Sequence, residues 1–190
     1  MTAENLERSF ASTADVLARV KTDQLDDPTP CASWKVRDLI NHVVGGTTFF
    51  AVAAETGTAP TGGGDDAPDV AAGDYNAAFA EGSKRAVAAF RAEGAMEKTM
   101  ALPFGELPGA VFVNIAATDA FAHGWDLARA TGQDTNLDPD LAAALLANAR
   151  NFLPDAMRGP DGQAPFGPRV DVPESAPPAD QLAGFLGRRV

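Results

Sequence analysis

The sequence predicts an all-α protein, and three observations carry that expectation. Its apolar residues are rich in Ala and Leu, with little Ile and a single Tyr, a mixture that favours helices over sheets. Apolar side chains return at intervals of three and four residues through several long segments. Segments dense in Pro and Gly separate them. A chain of 190 residues suits one domain of ordinary size. We therefore expect residues 1–190 to form a single domain, with the Pro- and Gly-rich stretch 154–190 packed on it as a tail.

The first helix is expected from Thr2 to about Lys21, with Leu6, Phe10, Leu17 and Val20 on its apolar face. Asp26-Asp27-Pro28-Thr29-Pro30 ends it as a turn. Ser33 offers an N-cap to a second helix that runs to about Glu55 on Val36, Leu39, Ile40, Val43, Thr47 and Phe50. Gly62-Gly63-Gly64-Asp65-Asp66, between Pro60 and Pro68, reads as a surface loop; it lacks the Lys and Ser/Thr of a phosphate-binding loop. A third helix is expected over Asp74–Glu93, with Tyr75, Phe79, Gly82, Ala86 and Phe90 on one stripe. The prolines at 103 and 108 make 102–109 an irregular connection. A fourth helix should cover Ala110–Thr131 and stop at Gly132. A fifth should cover Pro139–Leu153, capped by Asp138. A short one near Asp180–Leu186 should fold the tail back. Pro-Phe-Gly occurs at 103–105 and 165–167 with unmatched flanks, so it is shared turn chemistry and not a repeat.

The net charge of −11 opposes binding to nucleic acid or to anionic membrane surfaces. No signal-like segment opens the chain, and no apolar stretch approaches about 18 residues. A lone cysteine, Cys31, permits no intrachain disulfide and fits a reducing compartment. A cytoplasmic protein is expected.

Two histidines are present, His42 and His123. Helix residues four apart point within roughly 40° of each other and stand about 6 Å apart, so Asp119 and His123 share a face and can close on one ion. Phe112, Ile115, Ala122 and Leu127 surround that pair with apolar neighbours, where an uncompensated carboxylate is costly. A divalent cation compensates it, and Asp with neutral His suits zinc-like ions; nickel and manganese stay open. His42 lies beside Leu39, Val43, Gly45, Gly46 and Phe49, where the small glycines allow close approach. Three ligands from two helices would leave a coordination position open, as in catalytic zinc sites. Four residues before His42 stands Asp38, which suits the helix dipole or an outer contact better than ligation. Asp126 can orient the imidazole of His123 or simply be solvated. Trp125 lines a pocket or packs in the core. Cys31 is a reactive thiol or a small packed residue.

The segments Thr29–Gly46 and Asp119–Gly132 resemble the mycothiol-dependent maleylpyruvate isomerase metal-binding domain, within the DinB-like superfamily. The tail segments Phe166–Pro173 and Leu182–Arg188 resemble a branch of actinobacterial metal-binding proteins. What the resemblance implies is an up-down-down-up four-helix bundle that binds divalent metal, often zinc, through positions matching His42, Asp119 and His123. The isomerase has Glu where this chain has Asp119, and it carries a separate C-terminal domain for which this chain is too short. The resemblance further implies a metal-dependent S-transferase acting on mycothiol and a small electrophile. A metal-water hydrolase and a non-catalytic metal or ligand sensor are the competing expectations, and a homodimer is left open.

Overall fold

A computed structural model describes residues 2–31, 33–60, 69–160, 163–164 and 166–190. Six α-helices dominate it: α1 (Ala3–Leu17), α2 (Val36–Thr56), α3 (Tyr75–Arg91), α4 (Gly109–Ala130), α5 (Pro139–Phe152) and α6 (Pro178–Phe185). The all-α expectation holds. Most of the glycine-rich segment, 61–68, lies outside the described residues, as does Pro165 of the second Pro-Phe-Gly.

Contacts between helices fix their directions. In α2 and α4, His42 meets His123, Gly46 lies beside Asp119, and Phe50 packs on Phe112, so the two run antiparallel. Thr47 of α2 abuts Gly82 of α3, and Glu55, about two turns on, pairs with Arg85, about one turn on, so these two run parallel. Between α1 and α3 the partners are Phe10 with Phe79 and Glu7 with Arg91, an antiparallel pair. Thr13 of α1 donates to the Ala120 carbonyl of α4, while Val16 accepts from Gln133 just beyond α4, so α1 and α4 run parallel. The result is an up-down-down-up bundle. Its core stacks Phe50, Phe90 and Phe112 edge to face or tilted, and burying each such ring contributes about 2–3 kcal/mol.

Helix ends follow local chemistry, with two corrections. The cap of α2 is not Ser33: the helix begins at Val36, and the Asp38 carboxylate accepts from the Lys35 N–H at 2.9 Å. A carboxylate reaching back from the first turn serves an orphan donor and the dipole together. The connection at 102–109 is not irregular throughout. Strands β1 (Thr99–Leu102) and β2 (Gly105–Pro108) form an antiparallel hairpin in which Leu102 faces Gly105 across the turn Pro103-Phe104. Gly105, at φ 123°, adopts a conformation closed to other residues, and Pro108, at the strand's end, leads into α4. Asp138 caps α5 by accepting from the Leu141 N–H at 3.2 Å, and Gly132 is left-handed just past α4.

Candidate metal centre

At the end of the bundle where α2 begins and α4 approaches its C-terminus, His42, Asp119 and His123 converge. Their ligand atoms lie within 4.8 Å of one another. Asp119 Oδ1 is 3.7 Å from His42 Nε2 and 3.5 Å from His123 Nε2. These separations are too long for good hydrogen bonds. They match the edge of a tetrahedron around an ion with ligands at about 2.0–2.1 Å, roughly 3.4 Å. His42 Nε2 is itself buried and has no hydrogen-bond partner, although about a third of its side chain is exposed. A buried polar atom without a partner calls for a reason, and a role as a metal ligand supplies one. The donor set therefore fits a divalent metal.

The electrostatics agree with the geometry. Burial pushes the Asp119 carboxyl up, but His123 and then His42 outweigh it and hold the group well below the usual carboxylate range. Burial likewise pushes the His123 imidazole down, yet Asp119, followed by Asp126 and Cys31, raises it well above the usual histidine value. A site that favours a cation this strongly favours a metal as well as a proton.

Behind His123 lies a second layer. Asp126 is fully buried, and its Oδ2 stands 3.0 Å from His123 Nδ1. Arg188 reaches the same carboxylate from the C-terminal tail, Nη2 to Oδ2 at 3.1 Å and Nε to Oδ1 at 3.3 Å. Cys31 Sγ sits 3.3 Å from Oδ2. Burial raises the Asp126 carboxyl, but Arg188 and then His123 keep it below its usual range, hence ionised. An ionised acceptor fixes a proton of His123 on Nδ1, so Nε2, on the side of Asp119, is the nitrogen that gives up its proton to accept a metal. Cys31, His123 and Asp126 also lie close enough to suggest a second cation site, but the guanidinium of Arg188 already fills that role.

Of the residues singled out in the sequence, His42, Asp119 and His123 meet, with Asp126 directly behind. Asp38 is a helix cap. Trp125 packs in the core, 1% exposed, and its Nε1 donates to Asp180 Oδ1 at 2.8 Å, tying α4 to α6. Sequence reasoning missed two participants. Trp34 covers the histidines, with ring centroids 4.6 Å from His42 and 5.7 Å from His123. Arg188 arrives from more than sixty residues away in sequence. Both lie inside the segments that carried the family resemblance, which was the available signal. Around the opening, Gly45 leaves free space, and a Cβ on Gly46 would sit 4.0 Å from Asp119 Oδ2.

Among the described residues no helix is long and apolar enough to cross a membrane. Two uncharacterised proteins from different strains of Mycobacterium tuberculosis are each 44% identical to this chain over 184 residues, covering 97% of it and 96% of their own length. The crystal structure of the mycothiol-dependent maleylpyruvate isomerase superposes with a TM-score of 0.58 at 18% identity, covering 77% of this chain and 70% of that one. That likeness shows a shared helical-bundle fold. Residues 6–128 match the model of the mycothiol maleylpyruvate isomerase N-terminal domain, and this chain belongs to that family.

Proposed function

We propose that this protein is a metal-dependent transferase of a low-molecular-weight thiol, mycothiol, with the divalent ion held by His42, Asp119 and His123. The observation that carries the reading is the buried, unpartnered His42 Nε2 aimed at Asp119, 3.7 Å away. Two imidazoles and one carboxylate suit zinc first, with nickel and manganese as competitors. When bound, such an ion supplies a Lewis acid that lowers the pKa of a thiol or water at its open position. Asp119 offsets part of the ion's charge. Asp126, bonded to Nδ1, keeps Nε2 of His123 directed at the site. Trp34 supplies an apolar wall that limits water and offers a face to an electrophile. Asp119 and His42, each about a third exposed, leave the approach from solvent open.

The test is to supply the zinc-loaded protein with mycothiol and a panel of small electrophiles. Metal-dependent consumption of thiol is the expected result, and none across the panel contradicts the reading. Turnover of esters or amides without thiol would identify a metal-water hydrolase instead. A sensor is favoured by one observation: Asp126, a carboxylate beside the ligands, is already engaged by His123 and Arg188, which leaves it unable to act as a base. Tight metal binding with no turnover of either kind would identify it.

A further inference from the structure

We propose that the C-terminal arm is a working part of the metal centre: Arg188, seated by the turn at Gly187, holds Asp126 where it orients His123, so arm docking and metal affinity are coupled. This rests on the reading of His123 as a ligand.

The arm is built to aim one side chain. Helix α6 ends in a motif in which the Arg188 N–H donates to the Ala183 carbonyl at 2.9 Å and the Gly187 N–H to the Gly184 carbonyl at 3.0 Å. That closure requires a left-handed residue, and Gly187 has φ 93°. Gly187 also packs directly on backbone: a Cβ there would stand 2.6 Å from Gly167 Cα. Arg158 fastens the same end by donating to the Phe185 carbonyl at 2.7 Å and to the Gly167 carbonyl at 3.3 Å. On the α4 side, Trp125 holds Asp180 while its chain neighbour Asp126 holds Arg188. Two consecutive residues of the helix that carries His123 thus grip the arm.

The bonds to Asp126 divide unequally between its oxygens. Oδ2 receives His123, Cys31 and Arg188 Nη2, whereas the only donor to Oδ1 is Arg188 Nε, among the described residues. Without the guanidinium, Oδ1 is a buried anionic oxygen with no donor, and the carboxylate turns to find one. Turning breaks the bond to His123 Nδ1, and the imidazole loses both its orientation and its tautomer. Outer-layer partners of metal-bound histidines typically cost about 10–100-fold in affinity when removed.

The test uses untagged full-length protein carrying Arg188→Met, Arg188→Lys or Gly187→Ala. Zinc affinity is read by chelator competition, and the Nδ1 proton of His123 by NMR, with only two histidines to assign. Arg188→Met should lower affinity about 10–100-fold and expose the Nδ1 proton to rapid exchange. Arg188→Lys should restore part of both, because an ammonium reaches one oxygen but lacks the fork. Gly187→Ala, which keeps the guanidinium but misdirects it, should shift both in the same direction and covers the case in which Arg188→Met does not fold. Folded Arg188→Met with native affinity and an unchanged Nδ1 signal overturns the inference. If the wild type binds no zinc, the metal reading fails, while the Nδ1 proton in metal-free protein still decides whether Arg188 positions His123.

Discussion

His123 and Asp126 are bonded at 3.0 Å through Nδ1, and this one contact decides which face of the imidazole is offered to the site. Three residues apart on α4, they divide the work: the fully buried carboxylate orients, and the ring, through Nε2, faces Asp119 at 3.5 Å. A histidine held this way and raised in pKa must give up a proton to accept a metal.

Stability should therefore depend on pH differently with and without metal. A raised His123 contributes stability that is full below its unfolded value of about 6.5 and lost as pH climbs through the raised one. The depressed carboxyls of Asp119 and Asp126 contribute stability present above about pH 3.9 and lost as pH falls through their lowered values. Metal-free protein should be most stable between about pH 4 and 6.5 and weaken on the alkaline side. Zinc, which binds the neutral ring, should abolish the alkaline loss. Thermal melts with and without chelator check this; equal alkaline profiles contradict it.

Proton release accompanies the same event. Calorimetric titration of zinc near neutral pH, in buffers of different ionisation enthalpy, should show protons leaving the protein, and affinity should rise with pH until His123 is neutral. Asp119→Asn keeps the shape of the third ligand but removes its charge. Its affinity loss should exceed the about 10–100-fold typical of outer-layer partners.

Trp34 provides an optical report. Of the two tryptophans, Trp34 stands 4.6 Å from His42, while Trp125 is buried against Asp180. Cobalt or nickel should quench part of the fluorescence, and Trp34→Phe should remove that part. Quenching that persists in Trp34→Phe would place the ion elsewhere.

Glycines in the bundle should separate packing from function. Gly45 has open space around it, so Gly45→Ala should stabilise the protein by about 0.5–1 kcal/mol without altering zinc affinity. Gly124→Ala should cost about 1–3 kcal/mol, because its Cβ would overlap Thr13 Oγ1 and press on the Thr13 backbone. Denaturant titration of both variants checks the contrast.

How much of this was legible in the sequence varies with the range of the interaction. The pairing of Asp119 with His123, and the caps at Asp138 and Gly132, are set within one or two helical turns, where periodicity and residue chemistry suffice. The contact of His42 with Asp119 depends on two helices running antiparallel, which here only the family resemblance supplied. Trp34 and Arg188 reach the site from outside the helices that bear the ligands, and no local pattern announces them. Trp125 was ambiguous for a related reason: its partner Asp180 lies 55 residues away. The hairpin at 99–108 escaped notice because two four-residue strands closed by a proline turn leave almost no alternation to read.

The most direct test of the metal centre is the elemental content of untagged protein purified without chelators, compared with His42→Ala. About one divalent ion per chain is expected in the wild type and far less in the variant, because the proposed site would hold the ion through three ligands and the variant retains two. Substoichiometric metal, unchanged by the substitution, would contradict the account.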